Sequence, residues 1–191
     1  MFKQNLHTHS LYCDGKDTIE EMVQEAISRN FDVLGFSGHG YCSIDTYSMP
    51  FDEMEKYIQD VQHAKEKYKD QISIYLGIEQ DVLGKRFEKN DPYIIGSVHF
   101  VNVADQYLAV DMDKNTTEKI VEFCGDFLTY AKVYYEEVKK IAAMDEVDIV
   151  GHVDLLTKFN EDEFFIRFDN LDYLALAKEC IDELIKANKI F

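Results

Sequence analysis

Short apolar runs alternating with longer amphipathic segments predict an α/β protein, in which strands joined by helices build a parallel sheet or barrel. Two further observations support that class. A capping box opens the first helical segment at Thr18-Ile19-Glu20-Glu21, and histidine or glutamate recurs where successive apolar runs end, at His39, Glu79, His99 and His152.

Taken in order, the first run ends at His7-Thr8-His9, and Ile19, Met22, Val23, Ala26 and Ile27 follow at helical spacing to about Asn30. Val33-Leu34-Gly35-Phe36-Ser37 reads as a buried strand. Met54, Tyr57, Ile58, Val61 and Tyr68 mark the next amphipathic helix. Strands are expected again over 72–79 and 94–99. A long helical stretch from about Thr116 to Met144 carries Gly125, which weakens a helix interior by about 1 kcal/mol and marks a break. Ile149-Val150-Gly151 reads as a strand, and 171–187 as the last helix. The tail Lys189-Ile190-Phe191 has the character of a strand beginning. Closed (β/α) barrels usually need about 250 residues, so 191 suggests that a part is missing.

Length and composition fit one soluble domain, with 46% hydrophobic and 30% charged residues. No stretch approaches the ~18 uncharged apolar residues of a membrane span, and the N-terminus lacks the form of a secretory signal. A cytoplasmic location is expected. Cys13, Cys42, Cys124 and Cys180 are widely spaced, without a C-x-x-C pair, and read as reduced thiols. No base stands at a recognisable spacing from Cys13 or Cys42, so a thiol nucleophile is not expected. A net charge of −17 disfavours nucleic-acid backbones. It is compatible with a phosphate substrate if divalent cations reverse the local field.

Two histidines at i and i+2 on an extended segment point to one face, so His7 and His9 can share an ion. Any one of the later residues alone reads more readily as a satisfied core group or a solvated loop residue. Together, at the same end of successive strands, they read as a site, because catalytic groups gather at the C-terminal face of a barrel. Imidazoles with carboxylates suit zinc, manganese or iron(II). More than four ligands implies more than one ion, and the two oxygens of Glu79 could each take a metal. His63, among Gln59, Asp60 and Lys67, reads as a surface residue.

The motifs His7-Thr8-His9-Ser10, Asp14, the His39 loop, Gly77-Ile78-Glu79, Gly96-Ser97-Val98-His99-Phe100 and Gly151-His152-Val153-Asp154-Leu155 resemble, in order and over nearly the whole chain, those of the PHP (polymerase and histidinol phosphatase) family. Gly-Ser-Val-His-Phe and Tyr47-Ser48-Met49-Pro50-Phe51-Asp52 are most similar to histidinol-phosphate phosphatases, rather than to the polymerase-associated exonucleases. The resemblance implies a distorted (β/α)7 barrel with two to three divalent ions. His7, His9 and Glu79 would hold one ion, Glu79, His99 and His152 a second, and Asp14 with His39 part of a third. On its own, Cys13-Asp14-Gly15 is ordinary turn chemistry.

The implied reaction is hydrolysis of L-histidinol phosphate to L-histidinol and phosphate, with a hydroxide bridging the ions as nucleophile and Glu79, His99 and His152 acting through the metals. Lys158 lies where the family carries an arginine for the phosphate, and would act as a point charge; a solvated loop lysine is the alternative. Arg86, in the loop after Glu79, is a second substrate-binding candidate. Asp154 could orient a ligand or cap a helix. The family's late Asp-x-His is absent after His152. The expectation is therefore a single PHP-type domain over 1–191, truncated before its last strands, with an inactive metal-binding remnant or a phosphoesterase for another small phosphate ester as alternatives. Oligomeric state is open, although a bare edge at Ile190-Phe191 would invite pairing.

Overall fold

The computed structural model describes residues 1–87 and 92–191, and the chain divides into two compact units, Met1–Ile95 and Gly96–Phe191. The first unit contains β1 (Gln4–Asn5), α1 (Ile19–Ser28), β2 (Val33–Phe36), α2 (Met54–Lys67), β3 (Ser73–Asp81) and the start of β4 (Tyr93–Ser97). β1 runs parallel to β2, and β2 parallel to β3, with Val33 opposite Ser73 and Phe36 opposite Leu76. β4 follows β3 in the sheet order.

The local reasons for these elements are on the sequence. Thr18 closes its capping box with Glu21, and α1 buries Ile19, Val23 and Ala26 on one face. α2 buries Met54, Tyr57, Val61 and Ala64 at the same kind of spacing. Tyr57 donates its hydroxyl to the Gly77 carbonyl at 2.8 Å, which ties α2 to β3. Even positions of β3, Ile74 and Ile78, are buried hydrophobes, while Gly77 and Glu79 share the opposite face. β3 continues to Asp81, so Glu79 lies inside this strand and not at its end as expected.

The second unit holds the end of β4, an antiparallel hairpin of β5 (Phe100–Val103) and β6 (Gln106–Ala109), α3 (Lys114–Cys124), α4 (Phe127–Lys139), β7 (Ile149–Val150) and α5 (Leu171–Lys186). The hairpin was not expected. Its turn residues Ala104 and Asp105 both have positive φ, at 50° and 58°, where Asn-Gly is the usual sequence signal. β4 ends at Ser97, so His99 stands beyond the strand, just before β5. The expected break at Gly125 is real. Gly125 ends α3 with φ +90°, and Asp126 caps α4 through the Thr129 N–H at 2.7 Å.

α4 and α5 pack through Phe127, Tyr135 and Tyr173, with the Tyr135 and Tyr173 hydroxyls 3.1 Å apart. Beside β7, the Gly151 N–H donates to the Gly96 carbonyl at 2.8 Å. A Cβ on Gly96 would lie 2.8 Å from a Val147 methyl, so a side chain there would force Val147 or the strand to shift. The tail forms a parallel bridge, Ile190 to Ile149. Among the described residues, no helix is long and apolar enough to cross a membrane.

Candidate metal centre

In the first unit the backbone places His7, His9, His39 and Glu79 around one point. Thr8 is pinned to β2, its hydroxyl donating to the Gly35 carbonyl at 2.7 Å and its carbonyl accepting the Ser37 N–H at 2.9 Å. With Thr8 committed to that side, His7 and His9 project together on the other. His39 and Glu79 form a parallel bridge: the Glu79 N–H donates to the Gly38 carbonyl and the Gly40 N–H to the Glu79 carbonyl. Thus, a residue just after β2 is held beside one within β3.

Glu79 is 1% exposed and three imidazoles face it. The separations are 3.6 Å from Oε1 to His7 Nε2, 3.3 Å from Oε2 to His9 Nε2 and 3.1 Å from Oε2 to His39 Nδ1. These are longer than the ~2.7–2.9 Å of a charge-assisted N–H···O bond, although the two Oε2 contacts still allow longer hydrogen bonds. They also match the spacing of two ligands on one tetrahedral ion, about 3.3 Å for bonds of about 2.0–2.1 Å. The ligand atoms of His7, His9 and Glu79 all lie within 4.8 Å of one another. By its donor chemistry and its spacing, this set fits a divalent metal.

The outer nitrogens are engaged as well. His7 Nδ1 lies 2.8 Å from the Ser37 hydroxyl, and His9 Nδ1 2.8 Å from Asp14 Oδ1. His39 Nε2 is 3.7 Å from the same Asp14 oxygen. Hence His9 and His39 each span the two carboxylates, turning one ring nitrogen to Glu79 and the other to Asp14. Burial, the largest influence on His9, disfavours its charged form; hydrogen bonds and charge from Cys13 and Glu79 outweigh it and raise the pKa to about 10. For Asp14, burial pushes the pKa up, but His39 and His9 together hold it below the ordinary carboxylate value.

The second unit carries its own pair. The rings of His99 and His152 meet edge to face, 5.0 Å between centroids. The His99 carbonyl accepts the Val110 N–H at 2.9 Å, and the His152 carbonyl accepts the Tyr134 hydroxyl at 3.2 Å. Lys158, exposed on the turn after His152, donates to the Asp111 carbonyl at 3.1 Å and lies 3.4 Å from its carboxylate. Asp154 precedes a short 3-10 turn and uses its backbone carbonyl there, accepting from Thr157. Arg86 is exposed in the loop after β3, and His63 is exposed on α2 as expected.

Sequence reasoning missed Ser37 and the side-chain role of Asp111. Ser37, fully buried two residues before His39, had a signal in its place on the expected strand; Asp111 had none, because its partner is 47 residues away. Cys13, considered only as a nucleophile, has its sulfur 3.6 Å from His9 Nδ1.

The PHP-domain family model matches residues 5–191. Among curated proteins, histidinol-phosphatase of Bacillus subtilis is 27% identical over 184 residues, covering 83% of this chain and 68% of that protein. A candidate histidinol-phosphatase of Schizosaccharomyces pombe is 24% identical over 80% of this chain and 56% of its own length. Among solved structures, a candidate histidinol phosphatase from Listeria monocytogenes superposes with a TM-score of 0.85 at 22% identity, covering 98% of this chain and 80% of that one. Histidinol phosphate phosphatase from Lactococcus lactis, complexed with zinc, L-histidinol and phosphate, gives 0.60 at 19% identity over 97% of this chain and 68% of its own. These likenesses show the expected α/β fold of PHP type.

Proposed function

This chain belongs to the PHP-domain family and is a phosphoric monoester hydrolase of histidinol-phosphatase type, and from that premise we propose that it hydrolyses L-histidinol phosphate to L-histidinol and phosphate with two to three divalent ions bound. The observation that carries the reading is Glu79, buried and faced by three imidazoles at ligand-to-ligand spacing. The zinc, L-histidinol and phosphate bound by the Lactococcus lactis enzyme support the metal and substrate class.

In this reading His7, His9 and Glu79 hold one ion, Asp14 and His39 contribute to another, and His99 with His152 present imidazoles for a further one. Zinc, manganese and iron(II) all suit such ligands. Divalent ions held by these residues would supply Lewis acidity, to activate water near neutral pH and to hold phosphate oxygens. The chain's own groups do the positioning. Ser37 fixes the His7 ring so that Nε2 faces Glu79. Asp14 accepts from His9 Nδ1, which leaves the Nε2 lone pair directed toward Glu79. Two ions would place +4 against the −2 of Asp14 and Glu79, so a dianionic phosphate is attracted locally despite the net −17. Lys158 supplies a point charge for the phosphate from its turn, with Arg86 a second candidate.

The test is phosphate release from L-histidinol phosphate by the purified chain with added zinc or manganese, with and without chelator, beside Glu79→Gln. Turnover abolished by chelator, and metal content and turnover both lowered in the variant, are expected. Turnover that survives chelation, or a variant equal to wild type in both readouts, overturns the reading.

A further inference from the structure

The loop between β1 and α1 brings a thiol into the same cluster. Cys13 Sγ is 3.6 Å from His9 Nδ1, and the ligand atoms of His9, Cys13 and Asp14 lie within 4.8 Å of one another. The turn that places them is tight: the Cys13 and Gly15 N–H groups both donate to the Ser10 carbonyl, at 3.0 and 3.1 Å. A Cβ at Gly15 would stand 2.4 Å from the His9 carbonyl carbon, so a side chain there would force the turn open.

A second feature lies on the other side of the sulfur. Gly38 immediately precedes His39, and a Cβ there would lie 2.9 Å from Cys13 Sγ. Glycine leaves the sulfur its place next to the residue whose Nε2 faces Asp14. The His9 Nδ1–Asp14 separation of 2.8 Å is that of a hydrogen bond, so this nitrogen orients Asp14 and does not itself ligate. Among the described residues, the other donors near Asp14 include His39 Nε2 and the thiol.

Resting on the metal-centre reading above, we infer that Cys13 supplies a thiolate ligand to the ion held at Asp14 and His39, making this a mixed sulfur, nitrogen and oxygen position that prefers zinc over manganese. Thiolate is a soft donor that selects zinc, whereas manganese favours oxygen. Binding transfers the thiol proton to solvent and forms the metal–sulfur bond, so filling this one position releases one thiol proton per chain.

Cobalt(II), a spectroscopic stand-in for zinc, tests this without any turnover measurement. Titration of the metal-free chain is expected to give visible d–d bands from the histidine and carboxylate ligands, together with a near-ultraviolet sulfur-to-cobalt charge-transfer band. Cys13→Ser is expected to keep d–d bands and lose the charge-transfer band. Zinc affinity at one position should fall by about tenfold or more, since even an outer-shell partner contributes about 10–100-fold, while manganese affinity changes less. Circular dichroism of Cys13→Ser checks its fold, and Gly38→Ala, which crowds the sulfur, is a second variant expected to weaken the same band. Wild-type d–d bands without charge transfer, or a charge-transfer band that survives Cys13→Ser, overturn the thiolate assignment and leave the metal centre standing. Absence of all cobalt bands overturns both.

Discussion

Gly77→Ala is expected to lower stability through one identifiable collision. A Cβ at Gly77 would lie 2.2 Å from Tyr93 Cζ and 2.5 Å from both Cε atoms. Carbon atoms rest at about 3.5–4.0 Å, so the ring must withdraw by more than about 1 Å. It has little freedom to do so, because its hydroxyl donates to the Leu6 carbonyl and would also meet any Cβ on Gly35 at 2.3 Å. Overpacking costs about 1–3 kcal/mol, and losing the Tyr93–Leu6 hydrogen bond adds about 1–3 kcal/mol. The stiffer unfolded chain returns about 0.4–1 kcal/mol. The net is a loss of about 3 kcal/mol, which for a chain of this length lowers Tm by about 10 °C. Thermal and denaturant melts of the metal-free chain measure it. Tyr93→Leu in the Gly77→Ala background should recover part of the loss, giving a non-additive double-mutant cycle. A Tm within about 2 °C of wild type, or strictly additive variants, would refute the collision argument. Since Glu79 lies two residues on along the same face of β3, the variant should also weaken metal binding.

Ser37→Ala removes the group that fixes the His7 ring, and metal affinity should fall by about 10–100-fold with little change in the circular dichroism spectrum; an unchanged affinity would dismiss Ser37 as a positioning residue. Lys158→Gln should raise KM for the phosphate ester and leave Tm almost unmoved, because its exposed contact with Asp111 contributes only about 0–1 kcal/mol; an unchanged KM would return Lys158 to the role of a loop lysine. Hydrogen bonds to Thr116 and Thr129 hold the carboxyls of the helix caps Asp113 and Asp126 below their usual pKa. A depressed folded-state pKa means that their contribution is present above the unfolded value, about 3.9, and is lost as pH falls through the lowered one. Asp126→Asn should therefore flatten the acid limb of a stability–pH profile, and an acid limb identical to wild type would argue against it.

The sequence alone determined what depends on neighbours along the chain. The helix starts at Thr18, the break at Gly125 and the apolar spacing of α1 and α2 are local, and each is where the residues place it. His7, His9, His39 and Glu79 stood out as ligand-type side chains against apolar runs, whereas Asp14, ordinary turn chemistry by itself, was singled out only by the family resemblance; the structure brings the five together. The hairpin of β5 and β6 was not, since Ala104 and Asp105 adopt a turn that their residue types do not announce. Which nitrogen of each imidazole faces which carboxylate was decided only by tertiary structure. The parallel register that sets His39 against Glu79, 40 positions apart, and the buried Ser37 that turns His7 are long-range facts. So are the closing of Tyr93 over Gly35 and Gly77, and the space at Gly38 that admits the Cys13 sulfur. Periodicity encodes which face a residue occupies, but ligand geometry at the scale of an ångström depends on how distant segments pack, and that exists only once the chain has folded.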